Sequence, residues 1–215
     1  PSKIAYDLIK RGFSEEGVLE YFEKVYLASE EKTRLCMEVA KNESVFINDD
    51  ENCISIYIGM PFCPTRCAYC SFASNPIGSS KQLVEPYLKA LITEINALAD
   101  YIDKRKLKIE TVYFGGGTPT SISDEEFYSL MKIIHSRFIK DRNIREFTVE
   151  CGRPDSITVN KLDTMKKFMV DRVSINPQTM NDKTLRAIGR GHNAQLVKDI
   201  FKEARSRGFD NINMD

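Results

Sequence analysis

Three cysteines, Cys63, Cys67 and Cys70, stand within eight residues at C-x3-C-x2-C spacing. Three thiolates on one short loop can hold three corners of a cubane iron–sulfur cluster, whose soft iron prefers sulfur. A four-iron cluster normally takes four cysteines, so three leave one iron open to a substrate or cofactor. Zinc or plain buried thiols are the alternatives, although a structural zinc site wants four donors and no second C-x2-C pair exists here. The other candidate for chemistry is Gly115-Gly116-Gly117-Thr118-Pro119. Glycines there let backbone amides and carbonyls approach a ligand closely, and Thr118 adds a hydroxyl. The run is neither a P-loop nor the GxGxxG dinucleotide fingerprint.

These residues need elements to position them. Cys53-Ile54-Ser55-Ile56-Tyr57-Ile58 is a β-rich run that leads into the cysteine loop. Leu83, Val84, Tyr87, Leu88, Leu91, Ile92, Ile95, Leu98 and Ile102 recur at helical spacing. Thr111-Val112-Tyr113-Phe114 is the strand that feeds the glycine run, and Ser123 with Glu126 forms a capping box for the next helix. That helix turns Phe127, Leu130, Met131 and Ile134 inward, with His135 following as a structural residue. Further strands are expected at Phe147–Glu150, Arg172–Asn176 and Asp210–Asp215. Helices marked by Leu162, Met165, Phe168 and Met169, and by Leu196, Val197, Ile200 and Ala204, separate them, with Gly208 ending the last. Repeated βα units imply an α/β fold with a parallel sheet, either doubly wound or part of a barrel. The fifth strand has no covering helix after it, so the chain reads as the front part of a longer protein.

The first fifty residues form a different segment, helical and polar-faced. Ser14 is placed to cap a helix with Val18, Leu19, Phe22, Val25 and Tyr26 on one face. A second helix, about Glu30 to Lys41, carries Leu35, Cys36, Val39 and Ala40, and the acidic run Asp49-Asp50-Glu51 is a solvated linker. The expected organisation is a helical segment over 1–50 and a catalytic core over 51–215.

Bulk properties narrow the class. The 215 residues are 42% hydrophobic and 29% charged, which is ordinary globular usage. Thirty-one basic and 31 acidic residues give no net charge, which argues against a nucleic-acid binder. No apolar run approaches a membrane span and no secretory h-region opens the chain. Six cysteines in a chain this long suit a reducing cytoplasm better than a disulfide scaffold, with Cys36, Cys53 and Cys151 as small core residues.

The text Tyr57-Ile-Gly-Met-Pro-Phe-Cys63-Pro-Thr-Arg-Cys67-Ala-Tyr-Cys70-Ser-Phe, followed by Tyr113-Phe-Gly-Gly-Gly-Thr-Pro-Thr120, resembles the radical S-adenosylmethionine (SAM) superfamily. Asn176-Pro-Gln178-Thr-Met-Asn181 and Ile188-Gly-Arg190-Gly-His192 narrow the resemblance to its HemN/HemZ-like branch, which contains oxygen-independent coproporphyrinogen III dehydrogenases. The resemblance runs from about Tyr57 to Asp215. It implies a radical SAM partial (β/α)6 TIM-like barrel, here cut after its fifth strand. It also implies a 4Fe–4S cluster on Cys63, Cys67 and Cys70, with the open iron chelated by the amino and carboxylate groups of S-adenosylmethionine. One electron then cleaves that cofactor to methionine and a 5′-deoxyadenosyl radical, which takes hydrogen from the substrate.

On the same resemblance, the backbone at Gly116 and Gly117, with Glu150, meets the cofactor ammonium, and Thr118 and Arg190 its carboxylate. Gln178 and Asp215 fall at strand ends, placed for ribose hydroxyls, while the Tyr69 backbone meets adenine and Tyr57 lies below the cysteine loop. The plain alternatives are a strand-end cap for Gln178 and a solvated surface arginine for Arg190. Arg153 is either an ordinary turn arginine or a partner for a tetrapyrrole propionate. The implied partners are a tetrapyrrole and an electron donor such as flavodoxin or ferredoxin. The leading activity is oxidative decarboxylation of coproporphyrinogen propionates to vinyl groups in haem biosynthesis. Two departures keep alternatives open: Gly59 stands where such dehydrogenases carry histidine, and Ser71-Phe72 where they carry a further cysteine. The missing further cysteine suits a haem-delivery protein on this scaffold, and another radical SAM enzyme such as a methyltransferase stays open because the barrel half is shared across the superfamily.

Overall fold

A computed structural model describes residues 1–48 and 50–215; Asp49, part of the expected acidic linker, lies outside the described residues. The chain divides into two compact units, Pro1–Asp50 and Glu51–Asp215.

The first unit holds three helices, α1 (Ser2–Lys10), α2 (Glu15–Tyr26) and α3 (Glu30–Ser44). Ser14 caps α2 by accepting the Gly17 N–H at 3.2 Å, as its sequence position suggested. The small core comprises Ala5, Leu8, Val18, Phe22, Met37 and Ala40. Val25 and Tyr26, expected on the apolar face of α2, are exposed, as are Leu35 and Val39 of α3. Three short helices enclose only a narrow stripe, and the outer edges of each apolar arc are left outside it.

The second unit begins with β1 (Cys53–Met60), β2 (Phe62–Cys63), β3 (Asn75–Pro76), α4 (Ile77–Arg105) and β4 (Lys108–Gly116). It continues with α5 (Asp124–Ile134), β5 (Glu146–Glu150), α6 (Val159–Lys167), β6 (Arg172–Ser174), α7 (Asp182–Ala187), α8 (Ala194–Ser206) and β7 (Asn211–Asn213). Five strands form one parallel sheet in the order β1-β4-β5-β6-β7. Every βα unit therefore adds on the same side. A doubly wound sheet would reverse direction at a switch point, so the order selects the barrel-type alternative.

Strand alternation divides the sheet into two faces. Ile56, Ile58, Val112, Phe114, Phe147, Val149 and Val173 are buried in the main core with Val84, Leu88, Leu91, Ile95 and Ile102 of α4. Ser55, Tyr57, Thr111, Tyr113 and Glu150 sit at alternate positions and share the opposite face. Leu83 and Leu98 belong to the helical pattern of α4 but are exposed, because a helix on a sheet buries one stripe and these two flank it. The capping box at Ser123 and Glu126 forms as expected, at 3.2 and 2.9 Å. Gly208 takes φ +77° just past α8, a left-handed stop that glycine adopts without strain. His135 begins a π-helical turn and packs 5.5 Å from the Phe168 ring, in a structural setting. Among the described residues no helix is long and apolar enough to cross a membrane.

Candidate metal and cofactor site

All five strands of the sheet run parallel, so their C-terminal ends gather five loops at one edge. β1 ends at the cysteine loop, β4 at the glycine run, β5 at Glu150–Arg153, β6 at Asn176–Gln178 and β7 at Asp215. A cavity of about 310 Å³ opens among them. Cys63, Cys67, Cys70, Tyr69, Gly116, Gly117, Thr118, Glu150, Gln178, Arg190 and Asp215 all line it. Tyr57 does not. It stands in a neighbouring cavity of about 440 Å³ with Tyr87 and Tyr113, stacked on Tyr113 at 5.9 Å between centroids. The two cavities meet at Phe72, Gly116 and Glu150.

Each cysteine sulfur has a polar neighbour. The Thr118 hydroxyl donates to Cys63 Sγ at 3.3 Å, Arg153 Nη1 donates to Cys67 Sγ at 3.6 Å, and Ser74 Oγ lies 3.8 Å from Cys70 Sγ. Burial pushes the Cys63 thiol up, while the Thr118 hydroxyl and the Arg153 charge pull it back toward the thiolate that metal requires. Cys151 is fully buried against Met165 Sδ, and burial raises its thiol far above the usual range; it is a core residue, as expected.

The glycine run lies flush on the start of the cysteine loop. The Gly117 and Thr118 N–H groups donate to Met60 and Phe62 carbonyls at 2.5 and 2.8 Å. A Cβ on Gly117 would stand 2.7 Å from Phe62 O and 3.0 Å from Cys63 Sγ. Gly116 adopts φ +101°, and its N–H donates to Glu150 Oε2 at 3.2 Å. Beside them Tyr113 is pushed up to about 12 by burial and then by the Glu150 carboxylate.

Arg190 is only 9% exposed, which removes the surface-solvation reading. Its Nη1 donates to Gly152 O at 2.9 Å and its Nη2 to the Tyr69 hydroxyl at 3.1 Å, leaving Nε buried without a partner. Tyr69 donates in turn to Gln178 Oε1, and Gln178 Nε2 to Asp215. The Gln178 N–H also donates to Asp215 Oδ1, at 3.1 Å, from a left-handed backbone at φ +62°. Thr118 uses its hydroxyl proton on Cys63 rather than holding it free for a ligand.

Two features of the cavity escaped the sequence reading. Asn176 lines it with Oδ1 buried and unpartnered. The Ile188–Arg190 turn clamps the cysteine loop, since Ile188 O accepts the Ala68 N–H at 3.0 Å and Gly189 O the Thr65 hydroxyl at 2.8 Å. Arg153, left between a turn residue and a propionate partner, proves to be a 3% exposed side chain on the cavity wall, bonded to Thr65, Cys67 and Asp155.

Residues 57–215 match the radical SAM superfamily, well over half of the chain. The chain belongs to the radical SAM superfamily. Along its whole length it is 40% identical to the oxygen-independent coproporphyrinogen-III oxidase-like protein HemZ of Bacillus subtilis, spanning 44% of that protein. It is 39% identical, over 75% of its length, to the heme chaperone HemW of the same organism, spanning 41% of it. Coproporphyrinogen III oxidase (HemN) from Escherichia coli, a radical SAM enzyme, superposes with a TM-score of 0.63 at 25% identity, over 82% of this chain and 39% of that one. The chain is thus a HemN/HemZ-like radical SAM protein spanning less than half the length of these relatives.

Membership brings a 4Fe–4S cluster and S-adenosylmethionine, and the cavity fits both. Three thiols with hydrogen-bond donors converge on it. Glycines whose side chains would collide with the cysteine loop line it, and the unpartnered Arg190 Nε and Asn176 Oδ1 belong to residues that line it too. Among the described residues no three His, Cys, Asp or Glu side chains converge on a point suited to one metal ion. A cubane does not require that, since each thiolate takes its own iron.

Proposed function

We propose that this chain belongs to a radical SAM enzyme of tetrapyrrole metabolism, resembling coproporphyrinogen III dehydrogenases. The reading rests on one observation: a cavity bearing three cysteines opens beside a second one walled by Tyr57, Tyr87, Tyr113 and Phe72, with Glu150 and Gly116 between them. Large ring systems with apolar faces are what such an aromatic wall suits.

In this reading Cys63, Cys67 and Cys70 each hold one iron. Glu150, anchored by the Gly116 N–H, and the Gly117 carbonyl take the cofactor ammonium. Arg190 takes the carboxylate, for which a guanidinium is suited by its fork. Thr118 supports it by steadying Cys63. Gln178 and Asp215 exchange their mutual hydrogen bonds for ribose hydroxyls, and the Tyr69 backbone meets adenine. When bound and reduced, the cluster supplies the electron that cleaves S-adenosylmethionine to the radical that takes hydrogen from substrate. Tyr57 and Tyr113 hold the substrate on the far side of Glu150. The product reading is conversion of two propionates to vinyl groups with loss of carbon dioxide, in a reducing cytoplasm, with a flavodoxin or ferredoxin as donor.

A second reading is favoured by Gly59 and by Ser71-Phe72, which replace a histidine and a further cysteine, and by the 39% identity to a heme chaperone. It assigns the aromatic cavity to haem held for delivery. One experiment separates the two. The reconstituted, reduced full chain is incubated anaerobically with S-adenosylmethionine and coproporphyrinogen III. Protoporphyrinogen IX, absent with Cys63→Ala, is the expected product. Formation of 5′-deoxyadenosine without it overturns the substrate assignment, and stoichiometric haem transfer to an acceptor moves the protein to the second reading.

A further inference from the structure

The turn after β5 carries a charge that the cofactor contacts leave unused. Arg153 is 3% exposed, a costly position for a cation unless it is paired. Asp155 supplies the pair, accepting Nε at 3.2 Å and Nη2 at 3.1 Å. The outer edge of the same guanidinium is turned into the cysteine loop. There Nη1 donates to the Thr65 carbonyl at 3.1 Å and Nη2 to the Thr65 hydroxyl at 2.9 Å. Nη1 also donates to Cys67 Sγ at 3.6 Å. The hydrogen-bond partners of Cys63 and Cys70 are neutral hydroxyls, so among the described residues Cys67 is the one of the three cysteines hydrogen-bonded by a charged donor.

We propose that Arg153 is a positioning residue for the cluster that also raises its reduction potential, by fixing the Cys67 side of the loop and holding a positive charge against the Cys67 sulfur. The inference rests on the cluster alone and is indifferent to the substrate. Reduction adds one electron to a cluster and thiolate assembly that is already negative, and no bond forms or breaks. A buried cation beside a ligand sulfur stabilises the more negative form, because little solvent screens it. Asp155 holds the guanidinium in place and opposes its charge. The two residues therefore push the potential in opposite directions, which a purely packing role would not do.

The test is an anaerobic redox titration, followed by electron paramagnetic resonance with dithionite as reductant and no S-adenosylmethionine, on the full chain and three variants. Iron and sulfide counting first establishes loading, expected at roughly four irons per chain. Arg153→Gln should make the potential more negative by about 59 mV, a tenfold change in a one-electron equilibrium. Arg153→Lys should fall between it and the parent, and Asp155→Asn should move less and in the positive direction. A loaded Arg153→Gln protein that titrates at the parent potential overturns the proposal, as do equal shifts of one sign in Arg153→Gln and Asp155→Asn. If Arg153→Gln takes up no cluster, Asp155→Asn decides: a positive shift supports the proposal and an unchanged potential overturns it. A parent chain that takes up no cluster overturns the cluster reading itself, and this inference with it.

Discussion

Gly117 has no room for a side chain, and that makes it a sharper probe of the site than a cysteine. An alanine Cβ there would meet Phe62 O, Met60 O and Cys63 Sγ at 2.7, 2.9 and 3.0 Å. Two of those atoms are backbone and cannot swing away. Gly117→Ala should cost about 1–3 kcal/mol, as overpacking does, and should lower iron loading. Gly78, inside α4 with nothing within 4 Å of its would-be Cβ, is the control. Gly78→Ala should leave loading unchanged and hold or slightly raise the denaturation midpoint. Arg190 is tested by affinity instead. Lysine keeps the charge but cannot reach Gly152 O and the Tyr69 hydroxyl together while presenting a further donor. Arg190→Lys should weaken S-adenosylmethionine binding by about 1.5–3 kcal/mol in titration calorimetry, the scale of a hydrogen bond to a charged group, with iron content unchanged. Unaltered affinity would remove Arg190 from the cofactor site. The cysteines and glycines were legible in the sequence because their spacing is chemically restrictive. Arg153 was not, since a single arginine beside a proline carries no sign that the fold will bury it.

Among the elements, those with strong local signals appeared where the sequence placed them. The five strands extend up to three residues beyond, or stop up to two short of, their expected runs, and the helices α4, α5 and α8 follow their spacing, whereas α6 ends at Lys167 and leaves Phe168 and Met169, expected within it, outside the helix. Elements without such signals were missed. α1 has no side-chain cap, α7 is six residues long, and β2 and β3 are two residues each, held by pairing with each other. Their structure comes from tertiary contact that no local pattern encodes. α5 shows the contrary case, with an explicit start signal. The Ser123 hydroxyl accepts the Glu126 N–H, and Glu126 Oε2 accepts the Ser123 N–H. Ser123→Ala removes the first of these and should cost about 0.5–2 kcal/mol in urea unfolding. Because α5 packs behind β4, which ends in the glycine run, the loss should appear as global stability with little change in the affinity of a correctly folded site. A selective loss of cofactor affinity at unchanged stability would contradict that separation.

At the scale of the whole molecule, balanced charge removes long-range self-repulsion near neutrality, so individual buried groups decide how stability follows pH. His192 is the clearest of them. It is 5% exposed, its Nε2 lies 3.3 Å from Pro177 O, and it stands on the turn that leads from Arg190 into α8. Burial pulls its imidazole below the usual value of 6.5, with the Pro177 carbonyl and Asp155 working against that shift and Arg190 and Arg153 with it. The folded chain therefore keeps His192 neutral at pH values where the unfolded chain already binds a proton. Below 6.5 the unfolded state holds more protons, so stability rises with pH in that window and is lost on acidification. Between about pH 7.5 and about pH 5.5 this group should therefore make the folded chain lose stability on acidification. His135 shifts in the same direction and adds to the parent's slope, so the measurement is a difference. Urea unfolding of the parent and of His192→Gln at both pH values should show the parent losing more stability on acidification than the variant. Equal losses would place the acid sensitivity elsewhere, and a larger loss in the variant would mean that the folded imidazole takes up the proton more readily than the unfolded one.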